Sequence, residues 1–224
     1  MSETQKDKMS KKEIIKRYIL FIISLFIVAV GVAVTKKAEL GVSPTSSVAN
    51  VLSLKFTQLS LGSWLIIWNC LLIVGQILIL RKNFQLIQLL QVPLSFLFGY
   101  FTDIGMWLVS FLKIDSYIME LLFVIFGTII IGFGVFLAVV ANVIMNSAEA
   151  FIKAISDTIN KRFGNIKIAF DLSCVVLAVI LSVIFFDFSI RGTREGTIIA
   201  GVFTGLVVNF FQSKLGATID RLLT

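Results

Sequence analysis

Apolar and polar positions fall in long blocks along this chain. Six apolar blocks, Tyr18–Val34, Trp64–Leu80, Leu86–Leu112, Leu121–Ala141, Ile168–Phe186 and Gly196–Phe211, are separated by short charged or polar stretches. Blocks of this length predict helices that cross a bilayer, since a helix satisfies its backbone hydrogen bonds internally in hydrocarbon. The third block carries Pro93 in its first half, expected to loosen the backbone there. The sixth is short of the roughly twenty residues a span needs, and predicts local thinning of the bilayer.

Between the first and second blocks, and again between the fourth and fifth, about two dozen residues show a second, shorter helical pattern. In the first, Ser43 is placed to cap a helix with Pro44 at its first position, where the missing N–H costs nothing. In the second, Asn146 is placed to cap and Glu149 follows three residues later, a capping-box spacing. Phe151, Ile152, Ile155 and Ile159 then recur at helical spacing, with Lys153, Ser156 and Asp157 on other faces. Two placements are open for these short helices. They lie on the membrane surface, the plainer reading, or they dip inward as re-entrant half-helices that present free N–H groups near the middle of the protein.

The two stretches also correspond to each other. A shift of 103 residues pairs Gly31-Val32 with Gly134-Val135, Ala38 with Ala141, Ser43-Pro44 with Asn146-Ser147 and Ser53 with Ser156. Further landmarks pair Gly62 with Gly164, Asn69 with Asp171, Gly99 with Gly205 and Asp103 with Asn209, at slightly different offsets. From Ile19 to Ser53 only six of thirty-five positions are identical, so the landmarks carry the argument. They predict a duplication. With three spans per copy, the copies have opposite orientation.

The expected fold is therefore an all-α polytopic membrane protein of about six transmembrane helices in two inverted three-helix repeats. Residues 1–17 form a basic segment, 18–112 the first repeat, 113–120 a linker and 121–224 the second repeat. Residues Met1–Ser10 are polar and expected to be disordered.

Composition sharpens this picture. Hydrophobic residues make up 58% of the 224, which excludes an ordinary soluble domain. Fourteen Lys and Arg residues fall on the side of the N-terminus and six on the other, which places both termini in the cytoplasm. The net charge of +7 is accounted for by those flanks, so no nucleic-acid partner is expected. With no histidine, no recognisable nucleophile arrangement and two isolated cysteines, Cys70 and Cys174, the sequence points to neither an enzyme nor a metal or cofactor site.

Candidate binding chemistry lies in the polar residues of the apolar frame. Ser43, Thr45, Ser46, Asn50, Asn146, Ser147 and Glu149 cluster at the starts of the two short helices and are the expected substrate-binding set. Backbone N–H groups around Ser43–Ser46 would hold an anionic group. Glu149 or Asp103 would take a proton or cation for coupling. Asp103 has no basic residue within a turn, whereas Asp171 follows Lys167 by one turn and can pair with it; Asn69 completes the buried polar set. Gly201 and Gly205 form a small-residue face suited to internal packing or to a dimer contact, and Gly132 and Gly134 admit the same readings.

Two motifs resemble the bacterial YczE/YyaS/YitT-type integral membrane proteins. One is Leu40-Gly41-Val42-Ser43-Pro44 followed by Leu52-Ser53. The other is Arg194-Glu195-Gly196-Thr197 opening a last helix that carries Asn209-Phe210-Phe211. Where many such proteins repeat a Gly-x-x-Pro loop, this chain has Val143-Ile144-Met145-Asn146-Ser147. The resemblance implies a transport-related protein of the bacterial plasma membrane and supplies no substrate. The expected function is translocation of a small solute or ion by alternating access at the repeat interface. The alternative is a membrane scaffold or substrate-capture subunit that works with a partner or as a homodimer, docking through the basic loop Lys153–Lys167.

Overall fold

The computed structural model describes residues 10–161 and 163–223. The stretch before Ser10, and Arg162 among the inner charges, lie outside the described residues. Eight α-helices follow in order: α1 Lys11–Lys37, α2 Pro44–Lys55, α3 Leu61–Leu80, α4 Gln91–Leu108, α5 Tyr117–Ala141, α6 Ser147–Ile159, α7 Phe163–Phe185 and α8 Glu195–Leu223. Six are long and apolar enough to cross a membrane, namely all but α2 and α6, counting with α4 the 3-10 turns from Leu86 that lead into it. Local chemistry sets several boundaries. Ser10, Ser60 and Ser116 each accept a backbone hydrogen bond at the start of α1, α3 and α5, and α5 ends on Asn142 in the left-handed region.

Two elements differ from the sequence expectation. Pro93 does not loosen a span. It occupies the first turn of α4, after the 3-10 stretch Leu86–Leu90, where no N–H is required of it, and α4 stops at Leu108. The last helix is not short. It continues to Leu223, because Ile219 and Leu223 pack on Phe136, Leu137 and Val140 of α5 at helical spacing among polar neighbours. The buried Arg17 ties this extension to α1 and α5: it donates to Asp220 at 2.8 Å, to Glu13 at 3.0 Å and to the Val140 carbonyl at 3.1 Å.

The bundle is assembled on the crossing of α1 and α5, its most extensive interface. The two helices run antiparallel with their backbones nearly touching. A Cβ added at Gly31 would lie 2.7 Å from Ile131 Cγ1 and 3.0 Å from the Gly127 carbonyl; one added at Gly134 would lie 2.6 Å from Val28 Cγ2 and 3.1 Å from the Ser24 carbonyl. A shift of 103 residues turns Ser24, Val28 and Gly31 into Gly127, Ile131 and Gly134. Each helix thus meets the counterpart of the residue it presents.

The same reciprocity governs the next layer. α4 packs on α1 and α8 on α5, while α2 packs on α7 and α6 on α3. Each short helix therefore crosses into the other half. Ser46 to Val51 of α2 are all buried, whereas α6 buries one face, with Ala148, Ala150, Ile152 and Ala154 inside and Lys153, Asp157 and Ile159 exposed. The halves differ in one respect. Gly62 of α3 and Gly99 of α4 touch through their backbones, whereas Gly164 and Gly205 have no atom within 4 Å of an added Cβ. Of the Gly201 and Gly205 face, only Gly201 meets protein, at Pro44.

Adding a methyl group at Gly31 or Gly134 should therefore destabilise the fold by about 1–3 kcal/mol, while Gly205→Ala should be neutral or stabilising by up to about 1 kcal/mol. Unfolding of the purified variants in mixed micelles measures this. Equal losses at all three positions would contradict the packing described.

Candidate functional site

A cavity of about 340 Å³ opens at one end of the α1–α5 crossing. Its wall is built from the middle of α1 (Phe21, Ser24, Leu25, Val28) and the C-terminal half of α5 (Val135, Ala138, Val139). Phe98 of α4 and Phe163 of α7 add to it, and the segment Asn142–Asn146 with Glu149 forms the mouth. The volume is that of a small-molecule site, and the lining is mainly apolar with few polar groups, as such sites are.

Among the described residues Glu149 is the one charged group of this lining. Its position follows from how α6 begins. Asn146 caps the helix through a hydrogen bond from Ser147 N to its Oδ1 at 3.0 Å. The reciprocal half of the capping box, Glu149 reaching back to the Asn146 N–H, does not form. The side chain forms part of the cavity wall instead, with Oε2 buried behind the surface and without a hydrogen-bond partner. Among the described residues Glu149 takes part in none of the ion pairs; the lysines of its neighbourhood are engaged elsewhere, Lys153 with Asp157 and Lys167 with Asp171, both at 3.0 Å. An uncompensated carboxylate oxygen out of water is costly, and that cost is retained here.

Beside the cavity lies a void of about 10 Å³, near the size of one water, bounded by Gln91, Ser95, Asn146 and Ser147 together with Phe21, Leu25, Leu94 and Met145. Ser95 and Ser147 share a hydrogen bond of 3.1 Å across α4 and α6, and Gln91 Oε1 is buried without a partner. Three of the expected residues, Asn146, Ser147 and Glu149, are thus brought together at one place. Gln91, Ser95 and Ser24 join them. Each of these three is a polar residue within an apolar block.

The first-half residues lie at the other end of the crossing, and none of them lines the cavity. Here the segment between α7 and α8 is folded in. Gly196 N donates to the Leu40 carbonyl at 2.9 Å, Gly41 and Thr193 form an isolated bridge, and Asn50 Nδ2 donates to the Gly192 carbonyl at 2.6 Å. Lys36 donates to Asn50 Oδ1. Ser43 caps α2 without a side-chain bond to its backbone and donates to Ser46 Oγ at 3.0 Å, and Ser46 N bonds the Ser43 carbonyl. Thr45 is half-buried beside them. Leu40 and Val42 are fully buried, so this end is closed where the other is open. Lys36, counted from sequence as an outer flanking charge, belongs to this cluster. Its counterpart at a shift of 103 is the cavity residue Val139.

The remaining candidates have structural partners. Asp103 accepts from Ser60 Oγ at 2.6 Å and from Gly62 N at 2.9 Å, fastening the N-terminus of α3 to α4. Asp171 pairs with Lys167, and Asn69 is buried in α3. None of the three lines the cavity. Replacing Asp103 by Asn removes a charge from a helix N-terminus and should cost about 0.5–2 kcal/mol, read as a lower unfolding midpoint in mixed micelles. An unchanged midpoint would contradict the anchoring role.

No curated protein and no solved structure matches this chain. The model of a protein family of unknown function does match, over residues 15–213, nearly the whole of the described bundle. The chain belongs to that family, DUF6198.

Proposed function

We propose that this protein is a multi-pass transporter of the bacterial plasma membrane that moves a small solute by alternating access, its two halves acting as inverted repeats. In this reading α2 and α6 are re-entrant half-helices that enter from opposite faces, and both termini are cytoplasmic, as the distribution of Lys and Arg favours. The likeness of Leu40–Pro44 and Arg194–Thr197 to YczE/YyaS/YitT-type proteins agrees with a transport role.

One observation carries the reading. Two positions related by the 103-residue shift are in different states: the one at Glu149 is an open cavity with an uncompensated carboxylate, and the one at Ser46 is sealed by the segment Gly192–Gly196. A repeat protein with one half-site open and one closed has a second state of similar architecture in which the roles are exchanged. Reciprocal contacts at Gly31 and Gly134 give the pivot. The cavity mouth lies toward the α1 N-terminus, which makes the described state open to the cytoplasm.

The seal offers a test that needs no substrate. Gly192 has φ +77°, and an added Cβ would lie 2.8 Å from Leu54 and 3.0 Å from Asn50 Nδ2. Gly192→Ala strains the sealed end by about 1–2 kcal/mol, from the left-handed backbone alone, and so shifts the balance of states by a factor of about 5–30. Single cysteines at Asn142, in the cavity mouth, and at Thr45, in the sealed end, are labelled with an impermeant maleimide in oriented vesicles, with Cys70 and Cys174 both replaced by Ala. The proposal expects Gly192→Ala to raise labelling of Thr45→Cys from the outer side and to lower that of Asn142→Cys from the inner side. Labelling of Thr45→Cys that rises while Asn142→Cys is unaffected would overturn alternating access. That result would favour the second reading, a scaffold or capture subunit, for which the open face around Gly205 of α8 is the supporting feature.

A further inference from the structure

The cavity's own chemistry narrows the class of solute. We propose that it binds an apolar ammonium, a protonated amine carried on an aliphatic or aromatic body. This rests on the reading of the cavity as the substrate site and deepens it.

Charge is the first argument. Among the described residues the lining contains one carboxylate and no basic side chain. An anion placed there would meet Glu149 with no described side chain of the lining to offset the repulsion, whereas a cation would meet an opposite charge. A helix N-terminus favours anions in general, but the first turn of α6 carries its own carboxylate. Ser147 N bonds Asn146 Oδ1, and the negative charge of Glu149 offsets the pull of that helix end on anions.

Hydrogen-bonding capacity is the second. The buried side-chain atoms without a partner at the cavity and its side void are both acceptors, Glu149 Oε2 and Gln91 Oε1. The neighbouring hydroxyls are occupied: Ser24 Oγ donates to the Phe21 carbonyl at 2.6 Å, and Ser95 bonds both Ser147 and the Gln91 carbonyl. A ligand that completes this set brings N–H donors, which an ammonium has and a carboxylate lacks.

The walls supply the third. Phe21, Phe98 and Phe163 stand among aliphatic side chains, so the body of the ligand is apolar, and aromatic faces tolerate a nearby cation better than aliphatic ones do. An inorganic cation would find one carboxylate in place of the six or more oxygens that a hard ion gathers.

The experiment uses the full chain in nanodiscs of zwitterionic lipid and three probes of similar shape: 2-phenylethylammonium, 2-phenylethanol and phenylacetate. Affinity is read by calorimetry and by thermal shift. The ammonium alone should bind saturably, and Glu149→Gln should weaken it by about tenfold or more, as expected for loss of one partner of a desolvated charge pair. Ala138→Phe, which fills the cavity, should abolish binding; Val139→Trp serves the same purpose should the first variant fail to fold. Suppose instead that the alcohol or the carboxylate binds as well as the ammonium, or that Glu149→Gln binds normally, while a filling variant still blocks binding. The ammonium class then falls and the cavity remains the site. If no probe binds, or if binding ignores the filling variants, both the class and the site reading fall.

Discussion

The close antiparallel approach of α1 and α5 is the constraint on which the rest of the bundle depends. Between helices in lipid there is no hydrophobic force to draw them together, so association rests on contact between atoms. Gly31, Gly127 and Gly134 allow that contact by removing side chains where the backbones meet. α4 then lies against α1 and α8 against α5. The crossing also divides the interior into two ends, each bounded by the start of one short helix.

The exchange of α2 and α6 between the halves follows from this arrangement. A helix of twelve or thirteen residues is too short to span, and its polar first turn cannot face lipid. Each is therefore lodged against the second long helix of the opposite half. The two ends nonetheless differ in chemistry. At one, a lysine, an asparagine and the loop Gly192–Arg194 with the start of α8 satisfy one another and close the space. At the other, the glutamate has no counterpart and the space is open. A carboxylate held in this way is a standing cost to the fold, and costs of this kind cluster at functional sites.

Much of the frame was legible in the sequence because it rests on local rules. Apolar block length gives the six long helices, and Ser43-Pro44 and Asn146 mark where α2 and α6 begin. The 103-residue shift reappears in the residues that Gly31 and Gly134 face. What was not legible depends on tertiary partners. Asp103 resembled a buried functional carboxylate because the residues that use it, Ser60 and Gly62, belong to another helix. Glu149 fitted a capping box by spacing, and nothing local reveals that its side chain leaves the helix for a cavity. The continuation of α8 past Phe211 was hidden by polar residues whose apolar neighbours, Ile219 and Leu223, find their contacts on α5. Lys36 read as a flank because its partner, Asn50, lies beyond the turn that follows α1.

The claim that organises this account is that each half lends its short helix to the other, and cross-linking between α3 and α6 tests it most directly. Gly75 of α3 faces the ring of Phe151 of α6, 2.7 Å from where its Cβ would lie. Cysteines replace both residues, Cys70 and Cys174 are removed, and a protease site is inserted in the linker between α4 and α5. After treatment with a short bifunctional thiol reagent and cleavage, the two fragments should remain joined on a denaturing gel. Fragments that separate although both cysteines alkylate readily would contradict the exchange, and with it the pairing of one open and one sealed end.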